Sequence, residues 1–105
     1  MSSEIRFNEE KSGELFKLSI SGEVDIYTAQ SLKEKIYSVI ENNNCDLLIN
    51  CSELNYIDST GLGIFVGALK KVKESNGKIY ISNLKENIKK LFLITGLDKL
   101  FIIKE

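Results

Sequence analysis

The sequence predicts an α/β domain built on a mostly parallel sheet. Three observations lead there. Apolar periodicity switches between two and about 3.6 residues, the two patterns alternate along the chain, and no proline, low-complexity stretch or Gly/Ser-rich linker interrupts them. Strands separated by helices need right-handed crossovers and pair in parallel, so only an N-terminal hairpin strand is expected to run antiparallel. With 105 residues and 43% hydrophobic content, the chain can supply one real core, and residues 1–105 read as a single domain.

Ile5 and Phe7 alternate with polar neighbours, and after a turn at Lys11-Ser12-Gly13 the set Phe16, Leu18 and Ile20 does the same, which predicts the hairpin. Gly22-Glu23-Val24-Asp25 leads into a first helix with Ala29, Leu32, Ile36, Val39 and Ile40 on one stripe, Thr28 as its N-cap and Asn42-Asn43-Asn44 as its end. Asp46 to Cys51 reads as a strand. The helix after Asp58 buries Leu62, Phe65, Val66, Leu69 and Val72 and stops at Asn76-Gly77. Lys78 to Ser82 is a further strand. A third helix, capped near Ser82 or Asn83, presents Leu84, Ile88, Leu91 and Phe92 and ends at Gly96, and Leu100 to Ile103 closes the sheet. Lys17, Ser19, Asn50 and Ser82 interrupt what would be continuous apolar strands, so the helices are expected mainly on one face, with the other partly solvated.

Composition excludes whole classes of function. Fourteen basic residues against fifteen acidic ones leave a formal charge of −1, so no global field draws the chain to nucleic acid or to an anionic membrane. Apolar runs such as Leu91-Phe92-Leu93-Ile94 are far shorter than the ~20 residues of a bilayer span. The start, Met1-Ser2-Ser3-Glu4-Ile5-Arg6, lacks the apolar stretch of a signal peptide, and the expected compartment is the cytoplasm. Cys45 and Cys51 flank an extended run that holds them too far apart to bridge, which predicts free thiols. Without histidine or Cys-x-x-Cys, neither a metal site nor histidine-based acid/base catalysis is expected, and no cofactor is called for.

The segment Ser52-Glu53-Leu54-Asn55-Tyr56-Ile57-Asp58 reads as a connection longer than the usual ~2–6 residues, anchored by Leu54 and Ile57. It delivers Asp58, Ser59 and Thr60 to a helix start, where Ser59 is both a cap and a reachable hydroxyl. Chemistry alone leaves the plain cap and the functional hydroxyl equally open. Gly61 and Gly63 favour function, because each glycine in a helix costs ~1 kcal/mol relative to alanine and a bare first turn lets another protein's backbone come close.

Several rival motifs fail on spacing. Gly61-Leu62-Gly63 resembles a dinucleotide fingerprint until Val66 stands where the third glycine belongs, and a loop is expected before it in place of a strand. Asp58-Ser59-Thr60-Gly61 has one residue too many for an aspartic protease motif, and no Ser-x-x-Lys follows Ser59, whose third neighbour is Leu62. Lys70, Lys71 and Lys73, and Lys89 with Lys90, read as solvated helix faces; no aromatic residues interleave with them as on a nucleic-acid surface.

Ile57-Asp58-Ser59-Thr60-Gly61-Leu62-Gly63-Ile64-Phe65-Val66-Gly67 resembles the anti-sigma factor antagonists, the stand-alone bacterial form of the STAS domain. Gly22-Glu23-Val24-Asp25-Ile26-Tyr27-Thr28-Ala29 and Lys90-Leu91-Phe92-Leu93-Ile94-Thr95-Gly96-Leu97 resemble two further segments of that family, in the same order. The likeness is greatest to the general-stress and sporulation antagonists.

The resemblance implies a STAS-type fold and a partner switch in place of an enzyme. The unphosphorylated antagonist would bind an anti-sigma factor that is also a serine kinase, and so free a sigma factor for transcription. Phosphorylation would end the binding, and a cognate phosphatase would reset it. The acceptor carries over to Ser59, with Thr60 as runner-up, and the docking surface to Asp25, Tyr27, Thr28, Asp58, Ser59, Thr60, Gly61 and Gly63. A monomer is expected when free. Family members often continue into a C-terminal helix, whereas this sequence stops two residues after Ile103, which implies a bare surface there. Two other classes stay open: a small-ligand or nucleotide module using the same helix start as an anion site, and a scaffold subunit of a signalling assembly.

Overall fold

A computed structural model describes residues 4–43 and 45–104. Asn44, expected in the first helix's end, and Met1 to Ser3 lie outside the described residues. The elements run β1 (Ile5–Ser12), β2 (Leu15–Val24), α1 (Ala29–Asn42), β3 (Asp46–Ile57), α2 (Ser59–Lys73), β4 (Ile79–Ser82), α3 (Glu86–Thr95), a 3-10 turn (Leu97–Lys99) and β5 (Ile102–Lys104). The strands lie in the order β1-β2-β3-β4-β5; β1 pairs antiparallel with β2 and all later pairs are parallel.

This order dictates where the helices go. Each parallel strand is added beside the last in the same direction, and right-handed crossovers then place all three helices on one face. Burial agrees: Phe16, Leu18 and Ile20 of β2, Leu47, Ile49 and Cys51 of β3, and Ile79 and Ile81 of β4 are buried in one cluster with residues of α1, α2 and α3. Their alternates Lys17, Ser19, Asn50 and Ser82 are only half-buried, as the interrupted strands predict.

An aromatic contact in the core ties α2 to the far end of the chain. The rings of Phe65 (α2), Phe92 (α3) and Phe101 form a triangle with centroid separations of 6.3, 6.4 and 6.0 Å and tilted or edge-on planes, the arrangement aromatic quadrupoles favour. Phe101 reaches it because the 3-10 turn swings the chain inward. The last strand therefore begins at Ile102, two residues later than Leu100, where the apolar run alone puts it.

Other boundaries moved for identifiable reasons. The expected long connection after Cys51 is strand: β3 continues to Ile57 and pairs with the end of β2 (Ser21↔Glu53, Gly22↔Leu54, Glu23↔Tyr56, Val24↔Ile57). Register shifts after Ser19 and Gly22 space the buried residues Leu54 and Ile57 three apart, and that erases the period-two signal. Gly22 makes the hairpin side of this region feasible: at φ 110° a Cβ would lie 2.2 Å from the Glu4 carbonyl oxygen. The cap expected at Ser82 or Asn83 is absent; Ser82 ends β4, Asn83 turns the chain at φ 60°, and Lys85 occupies the N-cap position of α3 without a side-chain cap bond. At the end of α2 it is Asn76, at φ 59°, that takes the left-handed conformation, and Gly77 N–H closes onto the Val72 carbonyl at 3.0 Å.

Both cysteines are free, Cys45 half-buried and Cys51 buried. Burial pushes the Cys51 thiol up to about 12 from 9.0, so it is an inert core residue. Among the described residues no helix is long and apolar enough to cross a membrane.

Two measurements check this packing. Phe65→Ala should cost about 3–5 kcal/mol in denaturant unfolding. A thiol reagent at pH 8 should modify Cys45 and leave Cys51 until the protein unfolds. Because the folded state holds the Cys51 proton more tightly, its stabilising contribution is intact below pH 9.0 and falls as pH rises towards about 12.

Candidate functional site

The site lies where β2 and β3 end side by side. Val24 and Ile57 are register partners, both buried, and each is followed by an aspartate. Asp58 N–H donates to the Val24 carbonyl at 3.2 Å, which ties the end of β3 to that of β2.

Each aspartate then organises the turn after it in the same way. Asp58 is the N-cap of α2, extended at φ −110°, and its Oδ1 accepts from Thr60 N–H (3.0 Å) and Gly61 N–H (3.3 Å). Asp25 Oδ1 accepts from Tyr27 N–H (2.9 Å) and Thr28 N–H (3.2 Å), while its carbonyl accepts from Ala29 N–H (2.8 Å) at the start of α1. The Asp58 carboxylate satisfies N–H groups of the first turn of α2, and the Asp25 carboxylate closes the turn that leads into α1.

Two expected caps are thereby reassigned. Thr28 holds the N-cap position of α1 but makes no cap bond with its side chain. Its hydroxyl points back, donating to the Glu23 carbonyl (2.7 Å) and accepting from Asp25 N–H (3.1 Å). At 5% exposure Thr28 shapes the turn from within and offers no side chain to a partner. Ser59 is the first residue of α2, one place inside the cap. Asp58 does the capping, so the Ser59 hydroxyl is exposed and takes no part in it.

The two glycines of the first turn have different reasons to be there. Gly61 is buried, and a Cβ on it would lie 2.5 Å from Val24 Cγ1 and 2.6 Å from Ile57 Cγ1, so packing of α2 on the two strand ends demands glycine. Gly63 is exposed and a Cβ there would meet nothing within 4 Å. Only Gly63 is left without an internal explanation.

The edge brings together Asp25, Tyr27, Asp58, Ser59, Thr60 and Gly63 as surface, with Thr28 and Gly61 as support beneath. Sequence reasoning passed over two neighbours. Ile26 (69% exposed) stands beside Tyr27 (74%), and Tyr56 (47%) pairs in register with Glu23. Ile26 falls before the first helix and off its apolar stripe, which was the available signal; Tyr56 was concealed by the register shifts. Exposed aromatic and aliphatic groups beside turns are what protein interfaces use.

Chemically the edge presents the Ser59 hydroxyl and the carboxylates of Asp25 and Asp58, each carboxylate already accepting backbone N–H groups, and the chain has no histidine to pair with them. The helix does follow a strand directly, through Asp58 alone, against the expectation of a loop. A dinucleotide site still lacks its third glycine at Val66, and Gly61 is filled against Val24 and Ile57, which leaves no cradle at that position.

A STAS domain model matches residues 6–105. The anti-sigma-B factor antagonist of Bacillus subtilis (strain 168) is 42% identical over 87 residues, covering 83% of this chain and 79% of the relative. The antagonist of the same description from Staphylococcus epidermidis is 36% identical over 92 residues, covering 88% and 85%. The crystal structure of an anti-sigma factor antagonist from Mycobacterium paratuberculosis superposes with a TM-score of 0.86 at 27% identity, covering 95% of this chain and 85% of that one. On sequence and fold together, the chain belongs to the STAS domain family, among the anti-sigma factor antagonists.

Proposed function

We propose that the unphosphorylated chain binds an anti-sigma factor that is also a serine kinase, thereby releasing a sigma factor for transcription, and that phosphorylation of Ser59 ends the binding. The observation that carries this reading is the pairing of an uncommitted surface hydroxyl at Ser59 with a glycine at position 63 that the fold does not need. Gly63 costs ~1 kcal/mol of helix propensity for no internal gain, and close approach of a partner's backbone is a sufficient reason for it.

The electrostatics make one phosphate an adequate switch. A phosphoserine adds about 1.5–2 negative charges, here directly after Asp58 and at the same strand ends as Asp25. The helix start tolerates it, since nearby N–H groups and the helix dipole favour an anion. A partner docked on the edge would meet concentrated like charge, and ~1.4 kcal/mol is already tenfold in affinity. Asp25, Tyr27, Asp58, Thr60 and Gly63 form the docking surface in this reading, and Thr28 and Gly61 hold its shape. The chain is substrate and ligand, not catalyst: it acts in the cytoplasm as a free monomer without cofactor, membrane or nucleic acid, and a cognate phosphatase resets Ser59.

Ser59→Ala should bind the kinase partner and incorporate no phosphate, Ser59→Asp should lose binding by more than tenfold, and Thr60→Val should still be phosphorylated. Calorimetry and radiolabel transfer with the partner kinase and ATP read all three. Equal binding by the alanine and aspartate variants would sink the switch.

The glycines give a second test. Gly63→Ala should leave stability unchanged or raise it by up to ~1 kcal/mol yet weaken partner binding. Gly61→Ala should destabilise the fold itself, because Val24 and Ile57 must move. Thermal melts beside binding isotherms separate the two, and undiminished binding by Gly63→Ala would remove the reason given for that glycine.

A further inference from the structure

Strand β1 is an open edge of the sheet. It runs for 8 residues, pairs on one side with β2, and among the described residues has no strand on the other. It contains no proline, and its register against β2 is unbroken. A turn at Gly13-Glu14 closes the hairpin between the register partners Ser12 and Leu15. Ser12, Glu10, Asn8 and Arg6 therefore direct their backbone groups to β2, while Lys11, Glu9, Phe7 and Ile5 turn theirs to the outer edge. A long, regular edge is a template for a further strand unless its side chains forbid one.

Here the side chains forbid most registers and favour one. Phe7 opposes the buried Ile20, so the odd-numbered residues face the helical layer, and Arg6, Asn8 and Glu10 stand exposed on the helix-free face. A second copy of β1 that continues the sheet antiparallel, with its helices on the same side, must match odd residues with odd and even with even. Four two-fold axes then pair at least half of the strand, at Phe7, Asn8, Glu9 or Glu10. An axis at Phe7 sets Glu4 against Glu10 of the copy, and an axis at Glu9 or Glu10 sets that carboxylate against itself. Only the axis at Asn8 opposes no like charges. It places Arg6 of each chain opposite Glu10 of the other, in the closely spaced pairs whose side chains interact most strongly.

We propose that β1 is the interface for a second copy of this chain, joined in this register so that two five-stranded sheets become one. The neighbours of the two charges fit it. Glu10 already opposes Lys17 on β2, so Arg6 of the copy continues a row of alternating sign. Arg6 lies 3.6 Å from Glu4 in the single chain, an exposed contact that contributes little and is readily exchanged. On the helical side Phe7 meets Glu9 of the copy, whose charge is answered by Lys35 of its own α1 at 2.8 Å. Backbone hydrogen bonds and charge make up most of the interface, with the half-buried Ile5 and Phe7 as its apolar part. The pairing is thus concentration-dependent, and the free monomer of the proposed function is its dilute state. It uses neither Ser59 nor the turn around it.

The test is sedimentation velocity over a concentration series reaching ~1 mM. The unmodified chain should pass from monomer to dimer. Arg6→Glu or Glu10→Arg, each of which opposes like charges across the interface, should move that transition to a concentration about tenfold higher or more. An equimolar mixture of these two variants should dimerise again, because each altered position then meets its opposite charge, and the double variant Arg6→Glu/Glu10→Arg should dimerise like the unmodified chain. Lys90→Glu, on the exposed face of α3, should change nothing. A chain that stays monomeric throughout, single variants that dimerise as well as the unmodified chain, or a mixture no better than its components would overturn the proposal.

Discussion

The parallel pairing of β2 with β3 out to Val24 and Ile57 is the constraint on which the candidate site depends. Those two buried residues hold the strand ends in register, and the Asp58 N–H bond to the Val24 carbonyl carries the alignment one residue beyond the sheet. Once the ends are level, the aspartates after them are level too. Each then folds its own N–H groups inward with the same spacing, and two turns from distant parts of the sequence become one surface.

The core makes that surface stiff. Gly61 lets α2 sit directly on Val24 and Ile57, and the Phe65, Phe92 and Phe101 triangle anchors the same helix further along. A helix gripped at its first turn and near its middle has little freedom to shift its N-terminus. A preorganised surface loses little entropy on docking.

A polar ladder on the opposite, helix-free face serves a different end. The Ser19–Asn50–Asn83 ladder stabilises a left-handed residue at the close of β4, where the chain turns towards α3. The residues that break the apolar strands are therefore not mere concessions to solvent. Ser19 and Asn50, which the sequence marks only as interruptions, are the rungs that set the geometry of a neighbouring loop.

The sequence by itself determined the class of fold, the one-sided helical layer and the candidate segment, because periodicity, interrupted strands and the Asp58 to Gly63 spacing are local signals carried by neighbouring residues. The family was legible for the same reason. Tertiary structure alone decided the rest. Register shifts against β2 turned a supposed loop into strand; Asp25 and Asp58 took the capping roles from Thr28 and Ser59; and Gly61 proved to be a packing glycine while Gly63 did not. The register and the Gly61 packing turn on what a residue meets across the sheet, thirty or more positions away in the chain, and the caps turn on which of two neighbouring polar side chains the local backbone aims at the free N–H groups; a one-dimensional pattern carries neither.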